Sequence, residues 1–186
     1  TGNLTGCSPH TVTFTNQTYN GKNYYWNFGD GATDTAKNPV HVFYGRYLQD
    51  TVFNVKLVAQ SLNGCTGDTF VRQVMVRSLP YAGFTATAMS GCTPLTTQFL
   101  NNSQGLVTDE WNFGDGTTST LVNPTHTFLN NTNKDTTFNV RLVTITAYGC
   151  SDTIIKQVTV YPKPGANFTL STSSGCGPLN VNFTNT

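Results

Sequence analysis

Few side chains in this sequence could carry chemistry. It holds five cysteines, three histidines and nine acids, of which Glu110 is the one glutamate. Two of the histidines, His41 and His126, close the same tetrapeptide pattern, Asn38-Pro39-Val40-His41 and Asn123-Pro124-Thr125-His126. An imidazole held in a repeated setting could act as a general base or a metal ligand. A base of that kind needs a nucleophile and an orienting carboxylate, and no Ser, Cys or acid recurs beside the two histidines along the chain. Their expected work is packing or hydrogen bonding. Asp30 and Asp115 lie inside Gly-Asp-Gly, where an aspartate serves the turn by bonding its own backbone. No catalytic residue is expected, and the chain reads as not an enzyme.

These residues recur because the chain does. Trp26-Asn27-Phe28-Gly29-Asp30-Gly31 returns unchanged as Trp111-Asn112-Phe113-Gly114-Asp115-Gly116, a step of 85 residues. Cys7 maps to Cys92 and Cys65 to Cys150 at the same step, which drops to 84 for Val76 to Val160 and Cys92 to Cys176. Self-similarity at a fixed period marks a tandem array. The expected units are 1–80, 81–164 and the start of a third at 165–186. Phe84 and Phe168 mark the first strands of their units, and the matching position of the first unit would precede Thr1. The sequence is therefore expected to be an excerpt whose first unit lacks its first strand. Short linkers stiffened by Pro80, Pro162 and Pro164 imply a semi-rigid string of units.

Each motif must be positioned by strands. Trp and Phe two apart fall on one face of a strand, and Gly-Asp-Gly tolerates the positive φ of a tight reversal. Alternation places strands at Val12-Phe14, Tyr24 to Phe28, Phe53 to Leu57 and Phe70 to Val76, with Thr1 to Gly6 a lead-in. Charged residues are only 10% of the chain and the net charge is +1, so no basic field for nucleic acid exists. No apolar run approaches the ~18 residues of a membrane span. An inward Trp in an all-β unit of this size suggests an immunoglobulin-like sandwich.

Trp-Asn-Phe-Gly-Asp-Gly followed by Asn-Pro-x-His and a valine-rich strand pair resembles the polycystic-kidney-disease (PKD) domain, whose usual motif has Asp where Asn27 and Asn112 stand. The resemblance covers essentially the whole chain. It implies an all-β fold, tandem immunoglobulin-like sandwiches in an elongated array, with Trp26, Phe28, Gly29, Asp30 and Gly31 and their counterparts Trp111, Phe113, Gly114, Asp115 and Gly116 as structural motif. The Gly-Cys-x-Pro and later Gly-Cys elements resemble the variety found in large type 9-secreted surface adhesins of gliding Bacteroidota. That subgroup implies an extracellular, cell-surface stalk for adhesion and gliding motility, partnered by neighbouring repeats and by surface glycans. The alternative is a non-catalytic spacer of a secreted hydrolase, touching carbohydrate through a Tyr-rich first unit (Tyr19, Tyr24, Tyr25, Tyr44, Tyr47).

Repeat symmetry favours the disulfides Cys7–Cys65 and Cys92–Cys150, with Cys176 paired beyond Thr186. Such bonds imply an oxidising location; the alternative is free thiols, and no Cys-x-x-Cys or clustered His suggests a metal. No cofactor is expected. Calcium, which the resemblance raises, wants several carboxylates, and Asp30 with Asp34 is matched only by Asp115 with Ser119. Thr35, Thr51, Thr136 and Thr153 follow aspartate and resemble the Asp-Thr-aliphatic acceptor of Bacteroidota O-glycosylation.

Overall fold

The computed structural model describes residues 3–105 and 108–185, and every regular element among them is a strand. The first unit carries β1 (Thr5–Cys7), β2 (His10–Thr13), β3 (Asn23–Asn27), β4 (Thr33–Asp34), β5 (Val40–Phe43), β6 (Thr51–Gln60) and β7 (Thr66–Arg77). The second carries β8 (Phe84–Ala86), β9 (Ser90–Cys92), β10 (Leu95–Asn101), β11 (Thr108–Asn112), β12 (Thr118–Ser119), β13 (Thr125–Phe128), β14 (Thr136–Ile145) and β15 (Ser151–Tyr161). A hairpin of β16 (Phe168–Leu170) and β17 (Phe183–Asn185) ends the chain.

Each unit is an immunoglobulin-like β-sandwich. One sheet runs β1-β7-β6-β3-β4 in the first unit and β9-β15-β14-β11-β12 in the second. The facing sheet is β2-β5 in the first and β8-β10-β13 in the second. Alternation builds the interior: Phe53 and Val55 of β6 are buried while Asn54 and Lys56 face out. Phe14, Trp26, Phe28 and Phe43 fill the first core, and Phe99, Trp111, Phe113 and Phe128 fill the second at the same step. Their rings pack alike, with 5.3 Å between Phe14 and Trp26 centroids and 5.5 Å between Phe99 and Trp111. Burial of each such ring contributes about 2–3 kcal/mol relative to exposure.

The two units differ where β8 lies. Phe84 is buried there, its ring 5.8 Å from Phe99 and 5.1 Å from Trp111, while Lys156 Nζ donates to its carbonyl. The first unit shows a groove of about 440 Å³ instead, lined by Phe14, Trp26, Val55, Leu57, Phe70 and Arg72. Arg72 pairs with Val55 as Lys156 pairs with Val140, so the groove is the seat that β8 fills in the second unit.

The leading segment holds a strand that alternation does not reveal. β1 runs parallel to the end of β7, with Thr5 opposite Met75 and Cys7 opposite Arg77. Cys65 stands just before Thr66, at the other end of the 12-residue β7. At about 3.3 Å per residue the two cysteines are roughly 40 Å apart, far beyond disulfide reach. The expected Cys7–Cys65 bond is therefore wrong. Cys7 is bonded to Cys150, with a Cα–Cα distance of 5.5 Å, and the bond joins the two units. The expected Cys92–Cys150 bond fails for the same reason, since Cys92 is level with Tyr161 at the far end of β15. Cys65, Cys92 and Cys176 are exposed thiols.

Candidate functional site

Two features recur or join the repeats: the Gly-Asp-Gly turn with its histidine, and the junction between units. In the turn, Asn27 Oδ1 accepts from the Gly29 N–H at 2.9 Å and Asn112 Oδ1 accepts from Gly114 at 2.9 Å. Asparagine thus does the local work that the usual aspartate would do. Gly29 has φ +82°, and a Cβ there would sit 2.8 Å from the carbonyl oxygen of Asn54 on the neighbouring strand. Trp26 and Trp111 are satisfied by Nε1–H bonds to the carbonyls of Ala36 and Leu121, both 2.9 Å.

The fold brings each histidine to the aspartate of its own unit. His41 Nε2 lies 2.7 Å from Asp30 Oδ2, and His126 Nε2 lies 2.7 Å from Asp115 Oδ2. Both imidazoles stack on the motif phenylalanine, 4.0 Å from Phe28 and 4.1 Å from Phe113 with nearly parallel planes. A carboxylate partner does recur, then, and the constant spacing of eleven residues from aspartate to histidine was its sequence signal. Burial alone would raise the Asp30 carboxyl; the hydrogen bonds from His41 and Ala32 outweigh it and hold the group below its ordinary value. At Asp115 burial is likewise outweighed, by Thr117 and His126. Asp30 Oδ1 accepts from the Ala32 N–H at 3.0 Å, and Asp115 Oδ1 accepts from both the N–H and hydroxyl of Thr117. These bonds commit both carboxylates to pinning the turn against the stacked ring, a structural clamp.

The junction is polar and aromatic around the disulfide. Arg77 reaches Asp50 Oδ2 at 2.5 Å and its guanidinium lies 3.8 Å from the Tyr148 ring centroid across the junction. The Ser78 N–H and Arg77 together hold the Asp50 carboxyl below its ordinary value. Leu48 of the first unit packs against Gly105 of the second. The Arg77–Tyr148 and Leu48–Gly105 contacts and the disulfide run between units, which is why the sequence did not reveal them.

The remaining expected positions scatter. Thr35 and Thr153 are exposed, whereas Thr51 and Thr136 are half-buried at the starts of β6 and β14. Tyr24 points into the core with its hydroxyl on the Gly21 carbonyl, and so cannot belong to a contact face; Tyr19, Tyr25, Tyr44 and Tyr47 are exposed. Asp109, the counterpart of Tyr24, is buried, and burial pushes its carboxyl up. Among the described residues no group of three or more His, Cys, Asp or Glu is placed to hold a metal ion.

Residues 79–160 match the family model of the PKD domain. PKD domains are a non-catalytic, extracellular type of module. The PKD1 domain from Vibrio cholerae metalloprotease PrtV is 28% identical, covering 45% of this chain and 98% of that one, with a TM-score of 0.37. The PKD1 domain of Vibrio anguillarum Epp is 21% identical over 46% of this chain and 98% of that one, TM-score 0.38. The fibronectin(III)-like modules of Clostridium thermocellum CbhA are 12% identical over 86% of this chain and 88% of theirs, TM-score 0.37. No curated protein matches the chain.

Proposed function

We propose that this chain is a load-bearing stalk segment of a long exported cell-surface protein, serving adhesion and, by the resemblance of its cysteine elements, gliding motility through a type 9-secreted adhesin. The observation that carries the reading is the Cys7–Cys150 bond, which ties neighbouring PKD-like units across their junction. A bond made within a unit stabilises that unit alone. One made between units fixes how far their ends can part, which is a mechanical property. It also needs an oxidising compartment, in keeping with an extracellular place. Surface glycans are the partners we propose beyond the neighbouring repeats.

The test is made on cells carrying the native protein. Cys150→Ser is expected to leave the surface amount of the protein unchanged and to lower the shear force at which cells detach. Unaltered attachment under shear, with the bond absent, would contradict the stalk. A second reading, a spacer that contacts carbohydrate beside a hydrolase, rests on the exposed Tyr19, Tyr25, Tyr44 and Tyr47. Retention of the chain on insoluble polysaccharide, lost on replacing Tyr25, would favour it.

A further inference from the structure

Cys7 and Cys150 occupy two distinct places in a repeat. Cys7 ends the short parallel strand, level with Arg77, and the next N–H, of Ser8, donates to the Arg77 carbonyl at 3.2 Å. Cys92 is placed alike, level with Tyr161, with the Thr93 N–H donating to the Tyr161 carbonyl at 2.9 Å. Cys150 closes a hairpin turn in which the Thr146 N–H donates to the Cys150 carbonyl at 2.8 Å and Thr146 Oγ1 accepts from the Cys150 N–H. Cys65 closes the matching turn, with the Ser61 N–H on the Cys65 carbonyl at 2.9 Å and Ser61 Oγ accepting from the Cys65 N–H. The same two local structures are thus joined once, at 7–150, and open twice, at exposed Cys92 and Cys65.

We infer that Cys92 and Cys65 are the two halves of this same inter-repeat bond: Cys92 takes the hairpin cysteine of a following PKD-like repeat, and Cys65 takes the leading cysteine of a preceding one. The partner is a further repeat of this type, and the inference rests on the stalk reading above. Formation is thiol–disulfide exchange with a small-molecule disulfide. Two protein thiols give up two electrons and two protons, one S–S bond forms, and the oxidant leaves as two thiols. With every junction bonded, the shortest covalent route for force arriving at Cys65 runs along the chain to Cys92, through β7, before it crosses to the next repeat. Within that stretch β7 spans the sandwich from end to end, so it carries the load while the rest of each core is bypassed.

A head-to-tail fusion tests this directly. Residues 1–169 are joined to a second copy starting at Thr1, which places Phe168 and Thr169 before the second copy as Phe84 and Thr85 stand before Ala86. Cys65→Ser in the first copy, with Cys92→Ser and Cys176→Ser in the second, leaves one thiol of each kind outside the Cys7–Cys150 bonds. After folding with oxidised and reduced glutathione, non-reducing peptide mapping is expected to show Cys92 of the first copy bonded to Cys65 of the second, with the loss of two alkylatable thiols. If either cysteine stays alkylatable, or bonds elsewhere, while Cys7–Cys150 is intact, the inference is overturned and the stalk reading stands. If Cys7–Cys150 is itself absent, both fall.

Discussion

The aspartates of this chain differ in what ionisation does for the fold. Asp115 gathers Thr117 and His126 around an ionised carboxyl held below its ordinary value of 3.8. Its contribution is fully present above that value and is lost as pH falls through the lower, folded one. Asp115→Asn should therefore destabilise the second unit by about 1–2 kcal/mol at neutral pH, with the difference vanishing in strong acid. Asp109 has the opposite sign. Its carboxyl is raised by burial, so the ionised form is penalised and the penalty grows as pH rises through the raised value. Asp109→Asn should stabilise the unit by about 1 kcal/mol near neutrality, a shift of about 4–8 °C in melting temperature, and the gain should fade in acid. Melting curves taken across pH check both. The turn glycines offer a further contrast. Gly29→Ala meets both a left-handed φ and the Asn54 carbonyl, whereas Gly31, at φ +100°, has nothing within 4 Å of the new Cβ. Gly31→Ala should cost about 1 kcal/mol and Gly29→Ala clearly more, as chemical denaturation would read.

At the scale of elements, the groove over Phe14 and Trp26 makes a constructive prediction. Placing Gly165–Thr169 ahead of Thr1 would seat Phe168 where Phe84 sits in the second unit. One buried aromatic contributes about 2–3 kcal/mol, so the first unit should melt several degrees higher; no change would mean the groove is not a strand seat. The long strands were legible in the sequence because apolar residues alternate through Phe53, Val55 and Val74, Val76 against a solvated face. β1 was not legible. Its three residues, Thr5-Gly6-Cys7, show no alternation, and their partner lies some seventy residues later on β7. That omission misdirected the disulfides, since Cys7 is at the opposite end of the sheet from Cys65. Repeat symmetry could not have corrected it, because pairing within each unit and pairing across each junction respect the symmetry equally. The aspartate–histidine clamp was legible in principle, from a spacing preserved in both units.

For the whole molecule, the Cys7–Cys150 bond encloses most of both units in one covalent loop. By the chain-entropy model such a loop contributes about 5 kcal/mol against complete unfolding, but its mechanical effect is larger in kind. Force applied at the two ends passes from Cys7 to Cys150 through the disulfide, so the residues enclosed between them cannot lengthen the chain by unfolding, and of the second core only β15 lies outside the loop. The most direct measurement is single-molecule stretching of the chain by its ends, with and without reductant. An unfolded unit of this size releases roughly 250 Å at about 3.5 Å per residue. Steps of that length should be absent from the oxidised protein and appear twice on reduction or in Cys150→Ser. Their appearance in the oxidised protein would mean that the junction bond does not bear the load, and the stalk reading would lose its support.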